Sequence, residues 1–395
     1  MTLDFSELSV VDVHCHPYTR VDRFSADEWV DEVSFGGGSP AYLRDGGIEV
    51  DDAALAELQR VKRDTLYFRY MLRRLAEYFQ VEATVDAVVE ARNRAIKNEG
   101  YATYAHSLHQ AGGIDALIVD DGHPLPQVDL GTFRAQVGVE VAPVFRIEVL
   151  IQQLLDEEGG WTEFQRAYDD GIALALSEGG YKGLKSIIAY RTGLDIDPGS
   201  RSSDQGMMAL EKIRRARGRG GDAIKSLRDH LFCRAIERCI DFDAPFQVHT
   251  GMGDWEVHLE ACRPALLMEL LRYPAYRACK FLLVHTGYPY HAEAGYLANV
   301  LPNIWCDLSE GLPYAGNAGR RIIAEVLEMA PLSRVCYGSD TYGSPEPFYT
   351  SALLGKQALA QALQDLIDDG FMSEADARET ARMILSDNAR ELYGI

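Results

Sequence analysis

Short, almost unbroken apolar runs recur along the chain, separated by longer stretches in which apolar positions return every three or four residues. The runs fall at about 10–14, 115–120, 141–147, 183–189, 245–249, 281–285, 303–307 and 334–338. An apolar run without alternation is what a strand carries when both of its faces are covered, as in a parallel sheet. Segments 226–240, 258–271 and 315–330 show helical spacing instead. Eight strands alternating with helices predict an α/β fold, a (β/α)8 TIM barrel, with a doubly wound sheet as the alternative.

The spacing is uneven, and the gaps carry meaning. Between the first two strands lie far more residues than one crossover helix needs. Residues 51–110 have helical spacing, and the glycine-rich stretch before them, 34–47, reads as loop. We therefore read 1–395 as one barrel domain with a mostly helical insertion, 17–110, at its mouth. A second excursion, 190–224, carries Asp197-Pro198-Gly199-Ser200 and then Arg217-Gly218-Arg219-Gly220-Gly221, and reads as a long loop on the active-site face. The tyrosines and phenylalanines of the insertion fit either a cap or a contact between copies of the chain.

Composition narrows the partners. The formal charge is -21, and the one basic patch, Arg214 to Arg219, is too short to track a phosphate backbone, so a nucleic-acid partner is not expected. An acidic chain can still bind an anionic small molecule in a locally positive pocket. Seven cysteines, an odd number without a Cys-x-x-Cys pair, suit free thiols in a reducing compartment. No signal peptide and no apolar run of membrane-spanning length is evident, so the expectation is a cytoplasmic protein without a membrane partner.

The candidate chemistry sits at the ends of the apolar runs. His14 and His16 close the first one, and the two-residue period of a strand points both the same way. His249 closes the fifth run and His285 the sixth, each followed by Thr-Gly; Asp340 follows the eighth. In a barrel these carboxyl-terminal ends meet at one face. A single His-x-His is weak evidence of metal binding; four histidines and an aspartate in barrel order are far stronger. They can supply the nitrogen and oxygen ligands of a divalent ion with a position open for chemistry. The competing reading is a set of polar strand ends that bind substrate without metal. The remaining histidines, His106, His109, His123, His230 and His258, have weaker claims, while His291, in a loop after the sixth run, could reach substrate.

Lys185 lies on the fourth run, and a buried lysine needs a partner. It could carry a carboxylate made from CO2 and bridge two metals, bind a substrate carboxylate, or pair with a buried acid. The second reading ranks first. Arg191 and Arg146 offer forks suited to carboxylates, although Arg146 and Glu148, on one strand face, could pair with each other. Asp307 and Glu310 could orient a histidine from outside the ligand set.

These residues together resemble the amidohydrolase superfamily of metal-dependent barrels. The chain is similar to the amidohydrolase-related branch, and within it to barrels associated with glutamine-synthetase-like proteins, through Phe145-Arg146-Ile147-Glu148, Lys185-Ser186-Ile187-Ile188-Ala189-Tyr190-Arg191 and Gly338-Ser339-Asp340 followed by Pro345-Glu346. The resemblance implies His14, His16, His249 and Asp340 as ligands of one Zn2+, with two ions or another divalent metal as alternatives. It implies Asp340 as ligand or catalytic base, and His285 as a second ligand of a binuclear pair or as the catalytic group that polarises substrate or water beside one metal. Lys185, Arg191, Arg146 and His291 stand, on the residues themselves, as the candidates to face substrate. The expected reaction is hydrolysis of a small carboxylated amide, such as a γ-glutamyl amide, by metal-activated water. The alternatives are non-oxidative decarboxylation of an aromatic or unsaturated acid, a sugar-acid isomerase and a non-catalytic metal protein. A separate glutamine-synthetase-like protein would be its pathway partner, and a homo-oligomer fits the aromatic insertion.

Overall fold

The computed structural model describes residues 3–35, 39–216 and 221–395. The glycine run 36–38 and the Arg217–Gly220 stretch of the basic patch lie outside the described residues.

Eight parallel strands stand in chain order, β1 to β8: Val10–Cys15, Ile114–Asp120, Glu140–Arg146, Gly183–Ser186, Phe246–His249, Phe281–Val284, Ile304–Asp307 and Val335–Cys336. Each pairs with the next, for example Ile118 beside Ala142 and Val248 beside Leu283. The last strand meets the first through backbone bonds: Val13 N donates to Tyr337 O at 3.1 Å, Asp340 N to His14 O at 2.8 Å and His16 N to Thr341 O at 2.9 Å. The sheet is thus an α/β TIM barrel.

Alternation within the strands sorts their side chains. Val11, Val13, Ala116, Ile118, Val144, Leu282 and Val284 fill the barrel, and Tyr393 and Leu392 of the last helix plug its floor. Gln247, fully buried there, donates to Val13 O at 2.8 Å and to the Tyr393 hydroxyl at 2.7 Å, so its amide nitrogen is satisfied, while its Oε1 has no partner among the described residues. The outward partners, such as Leu184, Phe246 and Leu283, pack under the surrounding helices.

The insertion contains α1 (Ala26–Val33), α2 (Pro40–Asp45), α3 (Asp52–Arg63), α4 (Leu66–Phe79) and α5 (Val85–Glu99). Ser25, Asp51, Thr65 and Thr84 cap four of them with their side-chain oxygens. The next helix, α6 (Tyr101–Gly112), packs on β2 and on helix Pro345–Asp368 and belongs to the ring around the barrel. Trp29, Phe68, Met71 and Leu75 share one core with outward Leu117 and Val119 of β2. The insertion is also fixed by a fully buried ion pair. Arg92 donates from Nε to Glu346 at 2.6 Å and lies over the Phe24 ring, while Tyr104 donates to the same carboxylate at 2.8 Å.

Several expectations are corrected. β4 stops at Ser186, not 189, because the Ser186 hydroxyl accepts from Ile188 N at 3.1 Å and turns the chain into helix Ile188–Arg191. Segment 258–271 is three short turns, broken at Pro264, which has no N–H to continue a helix. The 190–224 excursion is not simply a loop: Ser203–Arg215 is a helix lying on helices Trp161–Ser177 and Asp222–Asp241, and of the excursion Tyr190 and Arg191 line the mouth. No described helix is long and apolar enough to cross a membrane.

Candidate active site

The strand ends converge on a cavity of about 350 Å³ lined by His14, His16, His123, Lys185, His249, His285, Glu310 and Asp340, with Arg146, Arg191, Asp254, Glu256 and Tyr190 around them. Among the described residues the metal-capable side chains form two groups, each with ligand atoms within 4.8 Å of one another: His14, His16 and Asp340, and His249, His285 and Glu310. His249, grouped with His14 and His16 on sequence, stands in the second group.

The first group straddles the seam between β1 and β8. The His16 Nδ1–H donates to Asp120 O at 3.0 Å, which leaves the Nε2 lone pair turned inward. That Nε2 is 3.2 Å from Asp340 Oδ1, and His14 Nε2 is 3.1 Å from the same oxygen. Lys185 Nζ lies 3.2 Å from His14 Nε2. Burial and Lys185 push the His14 imidazole down to about 4, so it is neutral. Burial would raise the Asp340 carboxyl, but His285, His14 and His16 outweigh this and hold it well below the usual carboxylate range. His16 thus turns a nitrogen lone pair towards a carboxylate oxygen, an arrangement that a cation would join. The donor set therefore fits a divalent metal.

The second group is a hydrogen-bond relay. Ser309 donates from its hydroxyl to Asp307 at 2.5 Å, so its oxygen accepts the His285 Nδ1–H at 2.8 Å. His285 Nε2 is then the acceptor, at 3.0 Å, of the His249 Nδ1–H. The relay ends on His249 Nε2, buried and without a hydrogen-bond partner. Burial pushes Asp307 up to about 6, which still leaves it ionised at pH 7. Burial, with Asp340 and Asp254 near, pushes the Glu310 carboxyl well above its ordinary value.

Matching aspartates stand behind the two groups. Asp12 Oδ1 accepts from His14 N at 3.3 Å and Ser339 N at 2.9 Å; Asp307 Oδ1 accepts from His285 N at 2.8 Å and Ser309 N at 2.9 Å. The backbone is strained at the same places: His285, Thr286, Glu310 and Asp340 all have positive φ, a costly conformation for residues with a side chain. The Thr-Gly pairs after β5 and β6 also have a reason. A Cβ on Gly251, at φ +78, would stand 2.3 Å from the Gly287 carbonyl carbon.

The expected substrate residues separate. Lys185 is at the centre, buried and pushed down to about 8. Arg146 reaches the cavity but is ion-paired with Asp120, with Nε 3.0 Å from both oxygens. Glu148 does not pair with it: β3 ends at Arg146, and Glu148, on the following helix, accepts from Ser186 at 2.6 Å. Arg191 lines the cavity exposed. His291 does not reach the cavity, because helix His291–Val300 turns it towards Glu325. His123 has a larger place than the sequence suggested. Its ring centroid is 5.2 Å from that of His16, and its position three residues after β2 was the available signal. Phe35, Tyr190, Asp254, Glu256 and Tyr342 also line the site but come from loops whose paths no periodicity reveals.

Residues 216–395 match the amidohydrolase family model. The likeness to amidohydrolases therefore rests on the second part of the chain, and the relatives below extend it. The chain is 28% identical to Protein fluG of Emericella nidulans in an alignment of 360 residues that covers 83% of this chain and only 41% of that protein. It is 26% identical to a putative metal-dependent hydrolase from Lactobacillus casei, with a TM-score of 0.82 over 100% of this chain and 98% of the other. A uronate isomerase from Thermotoga maritima, 13% identical, shares the fold alone, with a TM-score of 0.68 over 98% of this chain and 95% of that one. These likenesses mark the chain as an amidohydrolase-like enzyme, and its described residues include two side-chain groups that could hold a metal ion.

Proposed function

We propose that the protein hydrolyses a small carboxylated amide, a γ-glutamyl amide being the preferred case, with one Zn2+ at the mouth of the barrel. The observation that carries this reading is the meeting of His14, His16 and Asp340 beside Lys185, with arginines on the same wall. His14, His16 and Asp340 would hold the ion, and His249 offers a further nitrogen through its free Nε2. When bound, such an ion polarises a carbonyl and brings the pKa of water near 7.

The chain's own groups do the rest. Lys185 and Arg191 draw the substrate carboxylate to one side of the cavity, and Arg146, partly neutralised by Asp120, steadies it. Asp340 has a second oxygen to take a proton and pass it to the departing nitrogen. The His285–His249 relay presents one fixed tautomer to the developing charge. Cations aimed at a carboxylate favour keeping that group over expelling it, which ranks hydrolysis above decarboxylation. The seven free, buried cysteines support a cytoplasmic setting.

The test is protein purified without chelator, assayed for metal content and then against γ-glutamyl and other carboxylated amides. New amine in step with carboxylic acid, abolished by chelation and restored by Zn2+, supports the proposal. Release of CO2 from an aromatic or unsaturated acid, with no amide cleaved, replaces it with the decarboxylase.

A further inference from the structure

Opposite charges stand unpaired on two neighbouring stretches of the cavity rim. Arg191 ends the short helix after β4; Asp254 and Glu256 lie in the loop after β5. The two stretches are tied together: the Tyr190 hydroxyl donates to Asp254 N at 3.0 Å, and a Cβ on Gly253 would stand 1.9 Å from that hydroxyl. Even so, neither Arg191 nor Asp254 forms an ion pair with a described residue. The charged groups facing Asp254 are Asp340, Glu256 and His16. Arg228 stands near Arg191 and adds to the positive side. Lining one cavity without pairing to each other, they offer a cation and an anion to a molecule that carries both.

We propose that the substrate is zwitterionic, with an α-amino acid unit whose carboxylate meets Arg191 and whose ammonium meets Asp254. Its side-chain acyl group would then extend inward to the His14, His16 and Asp340 group. Asp254 is the specificity-determining residue, separating γ-glutamyl amides from glutaryl amides of the same length that lack the amine. Glu256 adds negative potential on the same side. The assignment rests on the hydrolase reading of the site, but ligand binding tests it without turnover.

Calorimetry with the Zn2+-loaded protein would compare L-glutamate, the product end of a γ-glutamyl amide, with glutarate. We expect L-glutamate to bind about tenfold or more tightly, the contribution of one charge-assisted contact. In Asp254→Asn the preference should fall below about twofold, while thermal unfolding shows the variant folded. Glu256→Gln, farther along the loop, should reduce the preference only in part. Equal or tighter binding of glutarate by the wild type, no measurable binding of L-glutamate, or an undiminished preference in a folded Asp254→Asn protein each overturns the inference. The two proposals fail differently. Preference for L-glutamate without cleavage of any amide sinks the hydrolase and spares the amino-acid pocket. Cleavage of glutaryl amides as fast as γ-glutamyl amides does the reverse.

Discussion

The two halves of the site are built from nearly the same parts and carry different charge. Each has two imidazoles, one carboxyl group and a buried aspartate holding a strand end behind it. In the first, the carboxyl of Asp340 is ionised and faces bare nitrogen, with Lys185 beside it. In the second, burial pushes the Glu310 carboxyl up, towards its neutral form, and the histidines satisfy one another through a relay that begins at Ser309. Depth alone does not make this difference, since all six side chains sit at the floor of one cavity. It follows from where hydrogen bonds are supplied. His16 spends its Nδ1–H on the Asp120 carbonyl and turns its other nitrogen to Asp340, whereas His285 receives a donor from His249. Equal inventories can therefore give one half that demands a cation and one half that orders protons.

Substitutions can break that contrast, the largest effect coming first. Asp340→Asn removes the only ionised carboxylate of the first group. Bound metal should fall by at least roughly 100-fold in affinity, above what losing an outer partner costs, and turnover should fall with it. Elemental analysis that found full metal occupancy in this variant would move the ion to the other half.

Asp307→Asn comes next, because an amide can donate where the carboxylate only accepted. The Ser309 hydroxyl then has reason to turn, and the relay loses its direction. We expect kcat/KM to drop about 10–100-fold with metal content preserved. A variant that loses its metal instead would show that the second half is a ligand set first and a relay second.

Glu310→Gln should do least among the site changes. A protonated glutamic acid and a glutamine are alike in shape and charge, so metal affinity should change less than about tenfold. A larger loss in metal titration would mean that Glu310 works as an anion, and the contrast between the halves would collapse.

The finest distinction concerns pH. His123 stands beside His16, and burial pushes it down to about 4. Its folded value lies below its unfolded one, so the unfolded chain binds more protons between pH 6.5 and 4. The stability it contributes is complete above that window and is lost as pH falls through it. In metal-free protein, Tm against pH should therefore be shallower over this range in His123→Asn than in the wild type. Parallel curves would show that His123 is already open to water.

Much of this was readable beforehand, for reasons that also mark the limit. A covered parallel strand writes itself as an apolar run, so the barrel followed from spacing, and strand period placed His14 with His16. Asp340 could be found because it follows the last run, although β8 itself has only two residues. Which histidines meet across the mouth was not readable, because strand tilt and register belong to the closed barrel. The resemblance set His249 beside His14 and His16; its Nδ1 meets His285, and its Nε2 stays free for the role proposed above. Arg146 and Glu148 were assigned one face because nothing in the local sequence says where β3 becomes helix. His291 looked like a loop residue near the site until its helix turned it to Glu325. The rim residues Asp254 and Glu256 have no periodic signal at all, since position in a loop is set by what it crosses.

The seam where β1 meets β8 has a consequence in time. Asp12 and Ser339 are 327 positions apart in the chain, and their bond lies directly beneath His14 and Asp340. Contacts that distant form late in folding, after the intervening loop has been closed at an entropic cost. During synthesis the first two histidines leave the ribosome long before the residue that completes their group. The barrel and its chemistry are finished by the same closing event, so a half-made chain has no working centre to misuse.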